Sequence, residues 1–453
     1  MIHKLLIANR GEIAVRIIRT CKEMGIKTVA VYSTADKGGL HTRMADERVC
    51  IGPPPSKDSY LSRNNLVAAA LKTQCGAVHP GVGFLSENAD FARSIRREGL
   101  IFIGPPPEAI ELLGDKVAAR ATAVKFGLPV TPGAQDAVSD IGDALDVTKR
   151  IGFPVIIKAA AGGGGKGMRI VGHEADMEEN IRIARSEALA NFGDARVFIE
   201  RYIEKPRHVE LQILADGKGT VAVLGERDCS VQKNHQKLIE ESPSPGVTDA
   251  MRERMKTGAV DMFRELGYCG AGTIEFLVEG GECYFMEVNA RVQVEHPVSE
   301  FVSGVDIIRQ QILACTENRL ELQGANSGAA AGGVVNVRLS GWALECRINA
   351  LSPGRIAKLE VPGGMGVRFD TCLAEGCLVP PHYDSMVGKL IVHAADRGQA
   401  LAKMERALSE LVIEGIQTNQ KRQEYIIKEK TFRSGNFDTS YYGSVEKEAA
   451  YVR

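Results

Sequence analysis

Every second residue in Met286–Pro297, MEVNARVQVEHP, is polar: Glu287, Asn289, Arg291, Gln293 and Glu295 alternate with Val288, Ala290, Val292 and Val294. Alternate residues of an extended strand share a face. The spacing therefore predicts one face carrying acid, amide, guanidinium, amide and acid, with a small apolar face behind it. Oxygen donors at Glu287 and Asn289 suit a hard cation, Mg²⁺ or Mn²⁺, of the kind shared with substrate phosphates. Arg291 offers a planar fork that matches a planar oxyanion, Gln293 adds an amide, and Glu295 could serve as a general base. The alternative is an ion-pair ladder in which Arg291 neutralises Glu287 and Glu295.

The segment GTIEFLVEGGE lies just upstream, and EGGE is a hairpin signal. If Glu279 faces Glu282, Glu275 pairs with Met286 and the acids Glu275 and Glu287 fall on opposite faces. If Glu279 faces Cys283 across a three-residue loop with a bulge, Glu275 sits opposite Glu287, beside Asn289. Three oxygen ligands on one face are what a divalent ion needs, so the three-residue loop is expected. A merely solvated hairpin face is the alternative.

Residues 159–167, AAAGGGGKG, separate two apolar runs. Gly162, Gly163, Gly164, Gly165 and Gly167 leave the backbone free to approach a ligand, with Lys166 adding charge; a phosphate cradle and a mobile hairpin tip are both compatible with this. No helix-opening Gly-Lys-Ser/Thr follows, so it is not a Walker loop. Lys158 and Lys116 are further phosphate contacts in prospect. PRHVE supplies His208, CSVQKNHQK supplies Gln232, His235 and Lys237, and ECRINA places Arg347 on a strand.

These groups need a scaffold. KLLIA, a helical pattern through IAVRIIRTCKEMG, then KTVAVYS, GAVHPG and LIFIGPP predict a parallel sheet with flanking helices over roughly the first 110 residues. Antiparallel strand signals dominate from about 207 to 300. The fold class expected is α/β (α+β overall): a doubly wound N-terminal domain over 1–113, a linker and lid with the glycine loop over 114–204, a catalytic core over 205–330 and a C-terminal α/β unit over 331–453. Residues 324–333, GANSGAAAGG, read as a surface connection.

The chain has 453 residues, enough for two or three domains. Its net charge of -1 gives no field toward nucleic acid or an acidic membrane, so an anionic ligand must be held locally. No apolar run is long enough to span a bilayer. Ten cysteines without a CxxC pair read as reduced thiols of a cytoplasmic protein.

Taken together, IANRGEIAVRIIRTCKEMGIKTVAVYS, HPGVGFLSEN, GDK, GFPVIIKAAAGGGGKGMRIV, PRHVELQ, ERDCSVQKNHQK, GTIEFL, MEVNARVQVEHPVSE, ECRINA and YDSMVGKL resemble, in family order over nearly the whole chain, the biotin carboxylases of the ATP-grasp superfamily. The resemblance implies a ligase in which ATP activates bicarbonate as carboxyphosphate and the carboxyl group passes to N1′ of biotin. It implies ATP contacts at Lys116, Lys158, the 162–167 loop, Glu200, Ile203, His208, Gln232, His235 and Leu277. Glu275, Glu287 and Asn289 match the metal ligands, with two ions expected. Arg291, Gln293 and the Val294 backbone match the bicarbonate site, Glu295 the base, Lys237 a group near the transferred carboxyl, and Arg347 the arginine that stabilises the biotin enolate. Arg16, Arg19, Glu23 and Arg368 match contacts of a homodimer. Departures from the family pattern are Val82, Lys233-Asn234, Met365 and the direct step from Leu351 into SPG. No Ala-Met-Lys-Met motif occurs, so biotin is expected on a separate carrier protein, with a separate carboxyltransferase subunit. A different ATP-grasp ligase and a non-catalytic nucleotide-binding subunit are the competing readings.

Overall fold

The computed structural model describes residues 2–134, 136–160, 168–322 and 333–450, the side chains of 447–450 excepted. The glycine-loop positions Gly162, Gly163, Gly164, Gly165, Lys166 and Gly167 lie outside the described residues, as does most of the 324–333 connection.

β1 (Lys4–Ile7), α1 (Gly11–Glu23), β2 (Lys27–Ser33), β3 (Glu47–Gly52), β4 (Ala77–His79) and β5 (Ile101–Phe102) build the N-terminal unit. Its five strands are all parallel, in the order β3-β2-β1-β4-β5. Leu5, Leu6 and Ile7 are fully buried. Leu5 and Ile7 pack with Ile13 and Ile17 of α1, and Leu6 packs with Val29 and Val31 on the other side. Burial on both faces is why the strand reads as a continuous apolar run. Strand order reverses between β1 and β4, and there Asn9 Nδ2 donates to the carbonyls of Pro80 (2.7 Å) and Val82 (2.8 Å).

His41 is buried in the short helix Leu40–Met44, with no partner for Nε2 among the described residues. Burial, only partly offset by Asp36, draws its pKa down to about 4. The unfolded chain therefore takes up a proton below about pH 6.5 that the folded chain refuses. The resulting stability is complete above that pH and disappears as the pH falls to about 4, a loss of about 3 kcal/mol. Urea unfolding of His41→Gln should accordingly show a smaller drop in stability between neutral pH and about pH 4.5 than the unsubstituted chain.

β6 (Val155–Ala159), β7 (Arg169–Val171) and β8 (Val197–Arg201) form an antiparallel three-stranded sheet, order β7-β6-β8. Val155, Ile157, Val171, Val197 and Ile199 pack with Met177 and Ile181 of the helix Met177–Phe192 as a core of their own. A separate core is what a unit able to move as a body requires.

β9 (Arg207–Asp216), β10 (Val221–Lys233), β11 (Gln236–Ser242), β12 (Cys269–Glu279), β13 (Glu282–Asn289), β14 (Val334–Asn336) and β15 (Trp342–Asn349) belong to one nine-stranded sheet, completed by Val367–Thr371 and Met386–Ala394. β11 pairs antiparallel with β15, so strands from either side of the expected boundary at 330 share one sheet. Behind its C-terminal strands, Leu344, Cys346, Leu390 and Val392 pack against Leu401, Met404 and Leu408 of the helix Arg397–Glu410.

Two expectations about the central hairpin need correction. The β12–β13 loop has two residues, not three, because Glu279 faces Glu282. Gly280 (φ 60°) and Gly281 (φ 85°) both take positive φ, which permits the tightest hairpin turn. The extra residue is accommodated further along: Phe276 pairs with Phe285 but Glu275 with Glu287, leaving Met286 as a bulge. That bulge delivers the juxtaposition of acids expected from the longer loop. Gly281→Ala meets no atom within 4 Å, so its penalty is conformational only. About 1 kcal/mol of stability should be lost in urea unfolding.

The second correction concerns MEVNARVQVEHP. The strand ends at Asn289 and does not continue through Glu295, which instead precedes the helix His296–Ser303. Pro297 has no N–H for a ladder but is tolerated in a first helical turn.

Candidate active site

The polar groups line up across the sheet as well as along one strand. Glu287 on β13 is in register with Glu275 on β12, Glu275 with Glu210 on β9, and Glu210 with Arg227 on β10. Register partners point to the same face. By period two that face also carries His208 and Gln212 on β9, Leu277 and Thr273 on β12, and Asn289 on β13.

Glu275 is the hub. One oxygen meets His208 Nε2 at 2.9 Å. The other accepts from Lys237 Nζ (3.0 Å), Asn289 Nδ2 (2.9 Å) and Gln293 Nε2 (3.0 Å). Burial opposes its charge, but Lys237 and His208 outweigh burial and hold the carboxyl well below the usual range. His208 Nδ1 lies 2.7 Å from Gln232 Nε2, so the two predicted nucleotide contacts are joined.

Glu287 is placed differently. Burial, then the charge of Glu275, raises its pKa. Its ion pair is with Lys116 Nζ at 4.0 Å. Lys116 opens the helix Lys116–Lys125, whose cap Asp115 accepts from Val117 N (2.9 Å) and Ala118 N (3.0 Å). The buried Glu275 and half-buried Glu287 carboxylates stand in register, with an amide beside them, and repel one another unless a cation intervenes. Glu275, Glu287 and Asn289 thus fit a hard divalent ion.

Leaving the strand does not scatter Arg291, Gln293 and Glu295. Arg291 Nη2 donates to Asn289 Oδ1 (2.7 Å) and Nη1 to Gln293 Oε1 (2.8 Å). Its Nε donates to Glu87 Oε2 (2.8 Å), so the ion pair is with Glu87 rather than the ladder to Glu287 and Glu295. Glu295 is fully buried between two cations: Lys237 Nζ at 2.6 Å and Arg347 Nη2 at 2.9 Å. Burial opposes ionisation there, but Lys237, Arg347 and Arg227 outweigh it and hold the carboxyl well below the usual range. The Val294 carbonyl accepts from Lys389.

Other predicted residues sit further out. Lys158 Nζ bonds Glu200 Oε2 at 2.6 Å, and Arg120 holds the other oxygen at 2.7 Å, tying the small sheet to the helix Lys116–Lys125. Ile203 is buried beside a cavity of about 410 Å³ lined also by Phe153, Pro154, Tyr202, Lys205 and Glu279. Leu277 is half-buried opposite His208. His235 is not gathered with the others: with Asn234 it forms the exposed turn between β10 and β11, both at positive φ (50° and 62°).

The sequence reading missed the groups that hold these residues. Glu210 bonds Lys237 Nζ at 2.6 Å, Glu240 bonds Arg347 Nε at 2.5 Å, and Glu87 holds Arg291. Glu240 in KLIEE carries no local signal, since its partner is distant in the chain. Glu87 lies inside HPGVGFLSEN and was within reach.

Comparison with known proteins shows the family. Residues 1–110 match the family described as biotin carboxylase, N-terminal domain; 115–323 the carbamoyl-phosphate synthase L chain, ATP binding domain; and 345–443 the biotin carboxylase C-terminal domain. The chain is 48% identical to a biotin carboxylase of Pseudomonas aeruginosa, covering 97% of this chain and 98% of the relative. It is 49% identical to biotin carboxylase 1 of Bacillus subtilis, with the same coverage of each. Its fold superimposes with a TM-score of 0.93 on a Campylobacter jejuni biotin carboxylase–beta-gamma-ATP complex, at 44% identity over 98% of this chain and 99% of that one. The biotin carboxylase domain dimer of a Hydrogenobacter thermophilus 2-oxoglutarate carboxylase, solved with MgADP, ADP and bicarbonate, also gives 0.93, at 41% identity over all of both chains. A carboxylate hub joining His208 to the Lys237–Glu295–Arg347 line lies in a chain matched by these families from residue 1 to 443, and the full-length likeness makes this protein a member of the biotin carboxylase family of ATP-dependent ligases.

Proposed function

We propose that this chain uses ATP and bicarbonate to carboxylate N1′ of biotin carried on a separate protein. The observation that carries the reading is the unbroken polar line from His208 through Glu275, Lys237 and Glu295 to Arg347. It joins the nucleotide side contributed by β9 and β12 to the biotin side contributed by β15. Gln232 and His208 face the nucleotide, and Lys116 and Lys158 approach its phosphates. Glu275, Glu287 and Asn289 would hold Mg²⁺ or Mn²⁺. The ion supplies charge neutralisation for the transferring phosphoryl group.

Arg291 and Gln293 orient bicarbonate, and their preset geometry removes the entropy loss of aligning it at the moment of reaction. Glu295 takes the proton. Locked between Lys237 and Arg347 it is a weak base. An anion that draws those two cations toward itself raises the pKa of Glu295 and makes it competent only when substrate is in place. Arg347, steadied by Glu240, then faces the negative charge that develops on biotin. The separately packed β6–β8 unit serves as a lid that excludes water from carboxyphosphate. We read the divisions of the chain as 1–113, 114–204, 205–330 and 331–453, the protein as a homodimer, and a carboxyltransferase subunit as the downstream partner.

The test is ATP hydrolysis by the purified chain with Mg²⁺, with and without bicarbonate and a biotinylated carrier domain. Turnover that requires bicarbonate and is stimulated by the carrier is expected, with loss on chelation of the metal. Turnover indifferent to bicarbonate would point to a different acceptor. ATP binding without turnover, even with the carrier, would point to a regulatory subunit.

A further inference from the structure

Cys269 opens β12, and Cys315 lies in the helix Ile307–Glu317 that packs on it. Their sulfurs are 3.5 Å apart and share a hydrogen bond. Both are free thiols, and both residues are partly exposed. Cys21, Cys75, Cys229, Cys283 and Cys346 are buried, Cys372 and Cys377 are partly exposed like the pair, and Cys50 stands exposed on β3. Two thiols in van der Waals contact need a closure of only about 1.5 Å to reach bonding distance, within what side-chain rotation and a small backbone shift provide. The neighbour of Cys269 is Gly270 at φ 94°, and a Cβ there would lie 3.5 Å from the Cys315 sulfur. The backbone thus faces the second thiol without an intervening side chain.

The environment distinguishes the two sulfurs. The Cys315 hydrogen bond is the largest influence lowering the Cys269 thiol, with help from the Arg96 charge, against burial. The same contact and burial push Cys315 well above the ordinary thiol range. As placed, Cys269 Sγ donates to Cys315 Sγ, and Cys315 Sγ to the Gly104 carbonyl at 3.7 Å. The thiol nearer the Arg96 charge is the attacking partner in exchange, and the higher-pKa thiol resolves.

We propose that Cys269 and Cys315 form a reversible dithiol modification site that exchanges with low-molecular-weight disulfides. The Cys269 thiolate attacks one sulfur of R–S–S–R, forming a mixed disulfide and expelling R–S⁻. The Cys315 thiolate then attacks the Cys269 sulfur, closing the intramolecular disulfide and expelling a second R–S⁻. The two cysteine protons end on the two R–SH products; the cysteines are oxidised and the small disulfide is reduced. The bond would tie the helix Ile307–Glu317 to the strand that bears Glu275.

Oxidised glutathione is the probe, applied to the folded full-length chain carrying Cys50→Ser, with thiol counting and peptide mass analysis. The expected result is loss of two thiols per chain, a linked Cys269–Cys315 peptide pair with no glutathione retained, and full reversal by dithiothreitol. Cys315→Ser should trap glutathione on Cys269, whereas Cys269→Ser should leave Cys315 unmodified over the same exposure. The proposal is overturned if the pair stays reduced, if glutathione is retained on Cys269 in the chain that keeps Cys315, or if Cys315 reacts as fast without Cys269 as Cys269 does without Cys315.

Discussion

Glu295→Gln should lower bicarbonate-dependent ATP cleavage by about 10²- to 10⁴-fold, the range a positioned general base contributes. The substitution preserves shape, so the helix His296–Ser303 that follows it should form as before. It removes the charge that Lys237 Nζ and Arg347 Nη2 share at 2.6 and 2.9 Å. The amide has one acceptor for two cationic donors, and its own N–H₂ must point at one of them. Lys237 keeps Glu210 and Glu275, and Arg347 keeps Glu240, so neither cation is left without a carboxylate. The KM for ATP should therefore stay within a few-fold, because His208, Gln232 and Lys116 are untouched. Steady-state kinetics at saturating ATP, with bicarbonate varied, separates the two parameters. An undiminished bicarbonate-dependent rate would remove Glu295 from the chemistry.

Arg227→Met should destabilise the protein by about 3–5 kcal/mol, the scale for breaking a buried ion pair from one side. Arg227 is fully buried and donates to Glu210 Oε1 (2.5 Å), Gln212 Oε1 (2.6 Å), Ser299 Oγ (2.9 Å) and Thr273 Oγ1 (3.1 Å). One guanidinium therefore joins β9, β12 and the helix His296–Ser303 to its own strand. Methionine fills much of the volume but leaves all four acceptors without their donor. Glu210 suffers most. Burial already raises its pKa, with Arg227 and Lys237 opposing, so loss of Arg227 shifts it toward the protonated form and loosens its hold on Lys237. Arg227→Lys should recover only part of the loss, since an ammonium presents a point charge where a planar fork is required. Chemical denaturation of the three proteins at one pH reads the series. A loss under about 1 kcal/mol for the methionine variant would show that the network is dispensable.

The local arithmetic of residue types determined a good deal. Period two placed Glu287 and Asn289 on one face of β13, because strand geometry alone decides that. The apolar runs of β1 and β2 foretold strands covered on both sides. The motif order identified the family and its ligase chemistry. What failed locally was turn and strand-end geometry. Gly280 and Gly281 made a two-residue turn, a bulge at Met286 restored the register, and the chain left the sheet at Asn289.

Only the tertiary structure decided which charges neutralise which. Glu87, Glu210 and Glu240 are remote in sequence from Arg291, Lys237 and Arg347 or carry no local pattern toward them, yet each fixes its cation. A charge buried in a medium of low polarisability must find a partner within a few ångströms. Which partner it finds depends on sheet order: β9 lies between β12 and β10, and β11 beside β15. The residues proposed to do the chemistry were legible as types at a spacing. Their charge state and aim belong to the fold, because electrostatic energy depends on distance in space and not along the chain.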